Sequence, residues 1–176
     1  MKRQILFFLL LPVCFCGLAQ TENLEGKWKG YITLDTSGFQ QVIEFGVQFR
    51  QSGKAVWGIY IRGGDTVFNS ADCTGKLIAR LDDKDNSVIT IYQDGVESNH
   101  IPLAMCSYLN ILEAIYSKEE GVEFLKGRWF SEPGSRLGLE GAAGRFRFEK
   151  VSPVPDIEVD KYFPNLSRLI KKFNNH

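Results

Sequence analysis

From Gly26 to Lys150 the apolar residues recur at every second position rather than every third or fourth. Residues 41–50 read QVIEFGVQFR, with Ile43, Phe45, Val47 and Phe49 on one face and Val42, Glu44, Gly46 and Gln48 on the other. Successive side chains of a strand point to opposite faces, so this pattern predicts a half-buried strand. Residues 51–54 (QSGK) make a turn, and residues 55–62 (AVWGIYIR) form the next strand, rich in β-branched and aromatic residues. Gly63-Gly64-Asp65 turns the chain again, and strand-like pieces follow at 66–68 and 75–81. Residues 82–86 (DDKDN) read as a polar hairpin tip before a strand at 87–93. Residues 94–105 have the weakest pattern, and Pro102 argues against a central strand there. Residues 107–116 (SYLNILEAIY) fit a short helix or a strand; apolar residues at both parities favour a strand buried on two faces. Residues 122–130, 136–139 and 144–151 complete the set. About eight antiparallel strands at hairpin spacing predict an all-β domain, a sandwich or a closed barrel.

After Val151 the texture changes. Residues 152–164 carry three prolines and read as an extended strap. Residues 165–173 place Leu166, Leu169, Ile170 and Phe173 on one helical face, with Arg168, Lys171 and Lys172 on the other. So short a helix does not persist alone in water, so its apolar face is expected to dock on the barrel wall. The alternative is contact with an anionic membrane or a partner through the basic face.

The front of the chain sets a compartment. Residues 1–19 combine basic Lys2-Arg3, an apolar run from Ile5 to Phe15, and small residues at Gly17 and Ala19, the pattern of a cleaved signal peptide. The apolar run is too short to span a bilayer as a helix. The expected division is a leader at 1–19, a barrel domain at 20–151, and a strap with a short amphipathic helix at 152–176. Export to the periplasm, the exterior or the cell envelope follows; a lipid anchor through Cys14 or Cys16 is the weaker alternative, because Val13 and Phe15 precede those cysteines. Cleavage leaves Cys73 and Cys106, an even count that permits one disulfide in an oxidising compartment or two separate buried thiols.

Charge narrows the partners. Lys+Arg and Asp+Glu both number 21; removing Lys2 and Arg3 leaves 19 against 21, a net charge of −2. That argues against nucleic acid, which asks for a surplus of cations on one face. An apolar fraction of 44% supports a packed core rather than disorder.

Leu24-Glu25-Gly26-Lys27-Trp28-Lys29-Gly30 opens the first strand. Its Gly26-x-Trp28 resembles the opening of lipocalins and the wider calycin group. Cys106 to Tyr108 and Leu125-x-Gly127-x-Trp129 are also similar, in order, to a loosely defined set of exported lipocalin-like bacterial proteins. The resemblance implies an eight-stranded antiparallel lipocalin-like barrel with a short C-terminal helix. It implies that Trp28 closes one end, with Arg145 or Arg147 lying over its ring. Calycin barrels serve as carriers, inhibitors, enzymes and structural subunits, so fold does not select among these roles.

The chemistry on offer is binding rather than catalysis. No nucleophile motif surrounds any serine, and His100 is the one histidine away from the terminus, so no catalytic residue, metal site or cofactor is expected. Asp83, Asp85, Ser87 and Asp94 lack the glycine and the bidentate glutamate of a calcium loop and read as a solvated tip. Gly138, Gly141 and Gly144 precede a strand, so they read as a tight turn and not as a phosphate cradle. Glu113 interrupts an apolar strand and is expected to point outward. Trp28, Trp57 and Trp129 are expected in the core. An eight-stranded barrel is either filled by side chains or holds one small ligand. For the second case the candidate lining is Phe45, Phe49, Trp57, Ile59, Tyr108, Asn110 and Tyr116. The expected function is therefore an exported binding protein for a small apolar molecule. The alternative is a non-catalytic interaction or structural subunit of an envelope assembly, with a filled barrel. The sequence sets no oligomeric state.

Overall fold

The computed structural model describes residues 22–36, 39–62, 73–82, 84–98, 111–131 and 142–174, with nothing to be said of side chains at 34–36, 39–41, 62, 95–98 and 173–174. Eight strands run in chain order: β1 (Gly26–Thr36), β2 (Phe39–Ser52), β3 (Ala55–Arg62), β4 (Cys73–Leu81), β5 (Val88–Ser98), β6 (Ile111–Glu119), β7 (Val122–Phe130) and β8 (Ala143–Ser152). Each pairs antiparallel with its neighbours in sequence, and β8 returns to β1, which closes the barrel. Closure gives every strand a paired neighbour on each side over part of its length. The all-β expectation of an eight-stranded barrel with a short C-terminal helix holds.

The alternation does the sorting. Around the barrel, Trp28 sits opposite Val47, Val47 opposite Tyr60, and Tyr60 opposite Gly75. The far wall continues the inward set, with Ile91 opposite Leu112, Leu112 opposite Trp129, and Trp129 opposite Gly144. These residues, with Phe49, Leu77, Leu81, Leu125 and Phe148, form one buried cluster inside the barrel. Two bulges, between Gly75 and Leu77 and between Lys27 and Trp28, bend the strands into the curve that closure requires.

Several boundaries differ from expectation. β5 runs on to Ser98, through residues whose composition lacks a strand pattern. β6 starts at Ile111 and is buried on one face only: Leu112 and Ala114 are buried, while Glu113 is exposed and Ile115 is 57% exposed. Apolar residues at both parities thus do not mean two covered faces here. The pieces expected at 66–68 and 136–139 lie outside the described residues.

The hairpin turn from β6 to β7 runs through Glu120 and Gly121, both at positive φ (51° and 88°). Two such residues make a type I′ hairpin, whose twist matches the strands. Glycine takes this geometry without strain and glutamate does not. Glu120→Asn is therefore expected to stabilise the fold by about 0.5–1 kcal/mol. Equilibrium denaturation checks this; no gain would mean that the turn is not strained.

The tail folds back on the outside. A 3-10 turn, Val159–Tyr162, leads into helix α1, Leu166–Asn174. Val159 and Phe163 are buried against Ala55, Trp57 and Ile59 of β3, with Leu166, Leu169 and Ile170 partly buried over the same strip. The apolar face docks as expected, and Arg168, Lys171 and Lys172 stay exposed.

Candidate functional site

The barrel interior is the first place to look for a site. Its described part is packed. Trp28, Phe49, Tyr60, Trp129 and Phe148 are each almost fully buried. Two inward glycines make room for rings: a Cβ on Gly75 would meet the Tyr60 ring at 1.9 Å, and one on Gly58 would meet the Phe49 ring at 2.5 Å. The Phe45 and Tyr60 rings touch, with centroids 5.4 Å apart. Two polar contacts reach into the interior. The Trp129 indole N–H donates to the Thr33 carbonyl at 2.8 Å, and the Gln93 amide donates to the Tyr60 hydroxyl at 3.2 Å.

One end is shut by the segment before β1. Leu24 is fully buried, and its carbonyl accepts from the Trp28 indole N–H at 2.9 Å. The Gln51 side chain accepts from the Leu24 amide at 2.7 Å and donates to the Glu22 carbonyl at 3.0 Å. Lys150 completes this end. Its ammonium lies 5.4 Å from the Trp28 ring centre and donates to Glu123 and to the Asn23 carbonyl, both at 2.8 Å.

Trp28 is buried as expected, but the cation over it is Lys150, not Arg145 or Arg147. Phe146 and Phe148 of β8 face inward, so Arg145 and Arg147, at the alternate positions, face out. Arg147 instead lies over the Phe124 ring on the outer wall, 4.4 Å from its centre. Lys150 shares the parity of the phenylalanines, and that signal was present in the sequence. Gly26, the other signature residue, opens β1 with φ 131°.

Tyr116 faces this same end. Burial, then the carboxylates of Glu123 and Glu22 and a hydrogen bond to Glu123, push its hydroxyl up to about 12 from an ordinary value of 10.0. Because the folded value lies above the unfolded one, this contribution to stability is complete below pH ~10 and is lost as pH rises towards 12. Tyr116→Phe is thus expected to flatten the alkaline fall in stability. Denaturation between pH 9 and 12 checks it; an unchanged slope would remove Tyr116 from the account.

The other candidate lining residues divide three ways. Phe45 and Phe49 face the interior, where neighbouring side chains pack them. Trp57 and Ile59 do not, which corrects their assignment to the lining. Both parities of β3 are apolar, and it is Val56, Gly58 and Tyr60 that point inward. Trp57 and Ile59 lie under the tail, where the Trp57 indole N–H donates to Asp160 at 2.8 Å. Tyr108 and Asn110 lie outside the described residues, as do His100, Gly138 and Gly141. Cys73 is disulfide-bonded; Cys106 lies outside the described residues.

Residues that sequence reasoning missed tie the strap down. Gln48 is an outward polar residue of β2, yet it is buried, because its side-chain oxygen accepts from the amides of Asp156 (2.7 Å) and Ile157 (3.3 Å). Lys27 pairs with Asp156 beside it. A glutamine at an outward position carries no sequence signal for such a role. At the 82–87 tip, Asp82 accepts from the amides of Lys84 and Asp85, and Asp85 accepts from Ser87, whose bonds hold its carboxyl below the ordinary value. These bonds shape a turn. Among the described residues, no group of three or more His, Cys, Asp or Glu is placed to hold a metal ion.

In comparison with known proteins, no family model, no curated protein and no solved structure matches the chain.

Proposed function

We propose that this chain is an exported, non-catalytic interaction protein, a lipocalin-like barrel that binds partners on its outer wall rather than cargo in its interior. One observation carries the reading: the described interior is filled by its own aromatic side chains, down to rings seated on glycines. That favours the envelope-subunit alternative over the carrier. The outward positions of β7 and β8 are rich in charge, including Lys126, Arg128, Arg145 and Arg147, which is unlike the apolar band of a membrane-spanning barrel. The reading calls for no cofactor. Its oxidising compartment accords with the disulfide at Cys73.

Native mass spectrometry of the mature, exported chain tests it. The expected mass is that of the polypeptide alone. A lipid-sized mass retained after purification would overturn the reading in favour of a carrier. That second reading draws on the Gln93–Tyr60 pair, a polar contact facing an apolar interior that could orient one small ligand.

A further inference from the structure

Two features lie side by side on the outer wall. The first is a grid of cations. Lys126 of β7 stands directly opposite Arg147 of β8, and Arg128 opposite Arg145. Like charges in directly opposed positions destabilise a sheet, and here two such pairs are adjacent. Aromatic rings hold three of the four: Lys126 and Arg147 lie over Phe124 (4.6 and 4.4 Å), and Arg128 over Phe130 (5.4 Å). Lys126 also pairs with Glu119. Glu113 flanks Arg128 on β6, and Glu149 follows Arg147 on β8, opposite Lys29. Even so, among the described residues no carboxylate stands within ion-pair distance of Arg128, Arg145 or Arg147.

The second feature is a recess of about 480 Å³ on the adjoining wall of β8, β1 and β2. Gly46 and Ile61 form its floor, where a Cβ on Gly46 would meet nothing nearer than 4.0 Å. Tyr31, Val42 and Val151 border it and are 43%, 60% and 47% exposed. Tyr31 stands directly opposite Arg147, so recess and grid are continuous. The β3 wall has the tail to cover its apolar strip.

We infer that this wall, from β7 through β8 and β1 to β2, docks an extended acidic segment of a partner protein, with an apolar side chain of that segment seated in the recess. The inference rests on the surface-binding reading above and names the surface and the partner chemistry. Alternate residues along a strand lie ~6.6–6.8 Å apart. An extended chain with carboxylates at every second position repeats at that same interval, so it matches Arg145 with Arg147, or Lys126 with Arg128. Guanidinium groups meet carboxylates in a two-bond fork, which gives register as well as attraction. Tyrosine and arginine around an apolar centre are the composition of energetic interface sites. Lys126, Arg128 and Arg147 lie where β7 and β8 are paired on both sides, so the partner binds there through side chains and not by adding a strand. A polyphosphate has no apolar side chain for the recess. A membrane surface has no protrusion to enter a hollow.

Fluorescence anisotropy with the full mature chain tests the proposal. The probe is a labelled peptide carrying one leucine followed by glutamates at alternate positions. Binding is expected to weaken at least tenfold in Arg128→Glu/Arg145→Glu and severalfold in Tyr31→Ser, with melting temperatures close to the parent's, since all three residues are outward. Equal binding by the variants, or by a peptide without the leucine, overturns the proposal. So does arginine-dependent binding of polyphosphate or anionic phospholipid vesicles in place of the peptide. A photo-crosslinking residue at Val42, compared with one at Lys171 in the exporting cell, separates the two levels of the argument. Protein adducts from Val42 that Arg128→Glu/Arg145→Glu abolishes support the proposal. Adducts from Lys171 alone overturn it and leave the surface-binding reading intact, whereas retained lipid in the native mass overturns that reading itself.

Discussion

Replacing Trp28 with alanine is expected to cost the barrel about 3–5 kcal/mol, the range for large buried aromatics. The indole is fully buried at the closed end. Its removal leaves a cavity under Leu24, deprives the Leu24 carbonyl of its donor, and takes away the ring beneath the Lys150 ammonium. The last of these is separable. A double-mutant cycle of Trp28→Ala with Lys150→Met is expected to show a coupling of about 1 kcal/mol. Arg145→Ala and Arg147→Ala, facing solvent, are each expected to stay within about 0.5 kcal/mol of the parent. Urea denaturation of the five variants, the double mutant included, decides the matter. A loss below 1 kcal/mol for Trp28→Ala, or a larger loss for either arginine, would contradict the closed-end arrangement.

Truncation before Pro153 is the second large effect. It uncovers Trp57 and Ile59 and removes Val159 and Phe163, which lie over them. Full burial of one side chain of this size is worth ~1.5–3 kcal/mol. The freed tail regains conformational entropy, which offsets part of the loss. A net cost of about 3–5 kcal/mol remains. Removing only residues 165–176 should cost less, about 1–2 kcal/mol, because Leu166, Leu169 and Ile170 are half-buried while Val159 and Phe163 are buried. Thermal melts of the two truncations should therefore be graded. Equal melting temperatures for both truncations and the parent, with binding to anionic vesicles lost, would instead assign the tail to the membrane.

Much of this fold was legible in period two. Ile43 to Phe49 marks an inner face by itself, because its partner face carries Glu44, Gly46 and Gln48. The tail's docking was legible for a similar reason, since its apolar spacing needs a surface. β3 was not legible. Ala55, Trp57 and Ile59 are as apolar as the inward set, because the tail covers their side. A strand covered on both sides loses the contrast that reveals its orientation. Gly58 held the remaining clue, an inward glycine lying under a ring. The cation over Trp28 was legible but misassigned. Counting from Phe146 and Phe148 leads to Lys150, whereas family resemblance led to the arginines. Charge opposition across β7 and β8 was not legible, because it depends on register, and register appears only when strands are paired.

The seam between β1 and β8 bears on the order of events after synthesis. β1 can meet β2 as soon as both exist, but its other neighbour is nearly the last structured segment made, and Trp28 must wait for Lys150. Until that meeting, both strands at the seam carry unpaired amides and carbonyls. Bringing such distant segments together is an entropic toll that local hairpins escape, and it places folding in the millisecond-to-second range of all-β topologies. The barrel cannot finish until β8 has been made and has reached β1. In a Trp57→Phe/Trp129→Phe background, stopped-flow refolding should show this as Trp28 fluorescence lagging behind the strand signal. For as long as the seam stays open, this chain is a curved sheet with two sticky margins, which is the form a holding chaperone would need to meet.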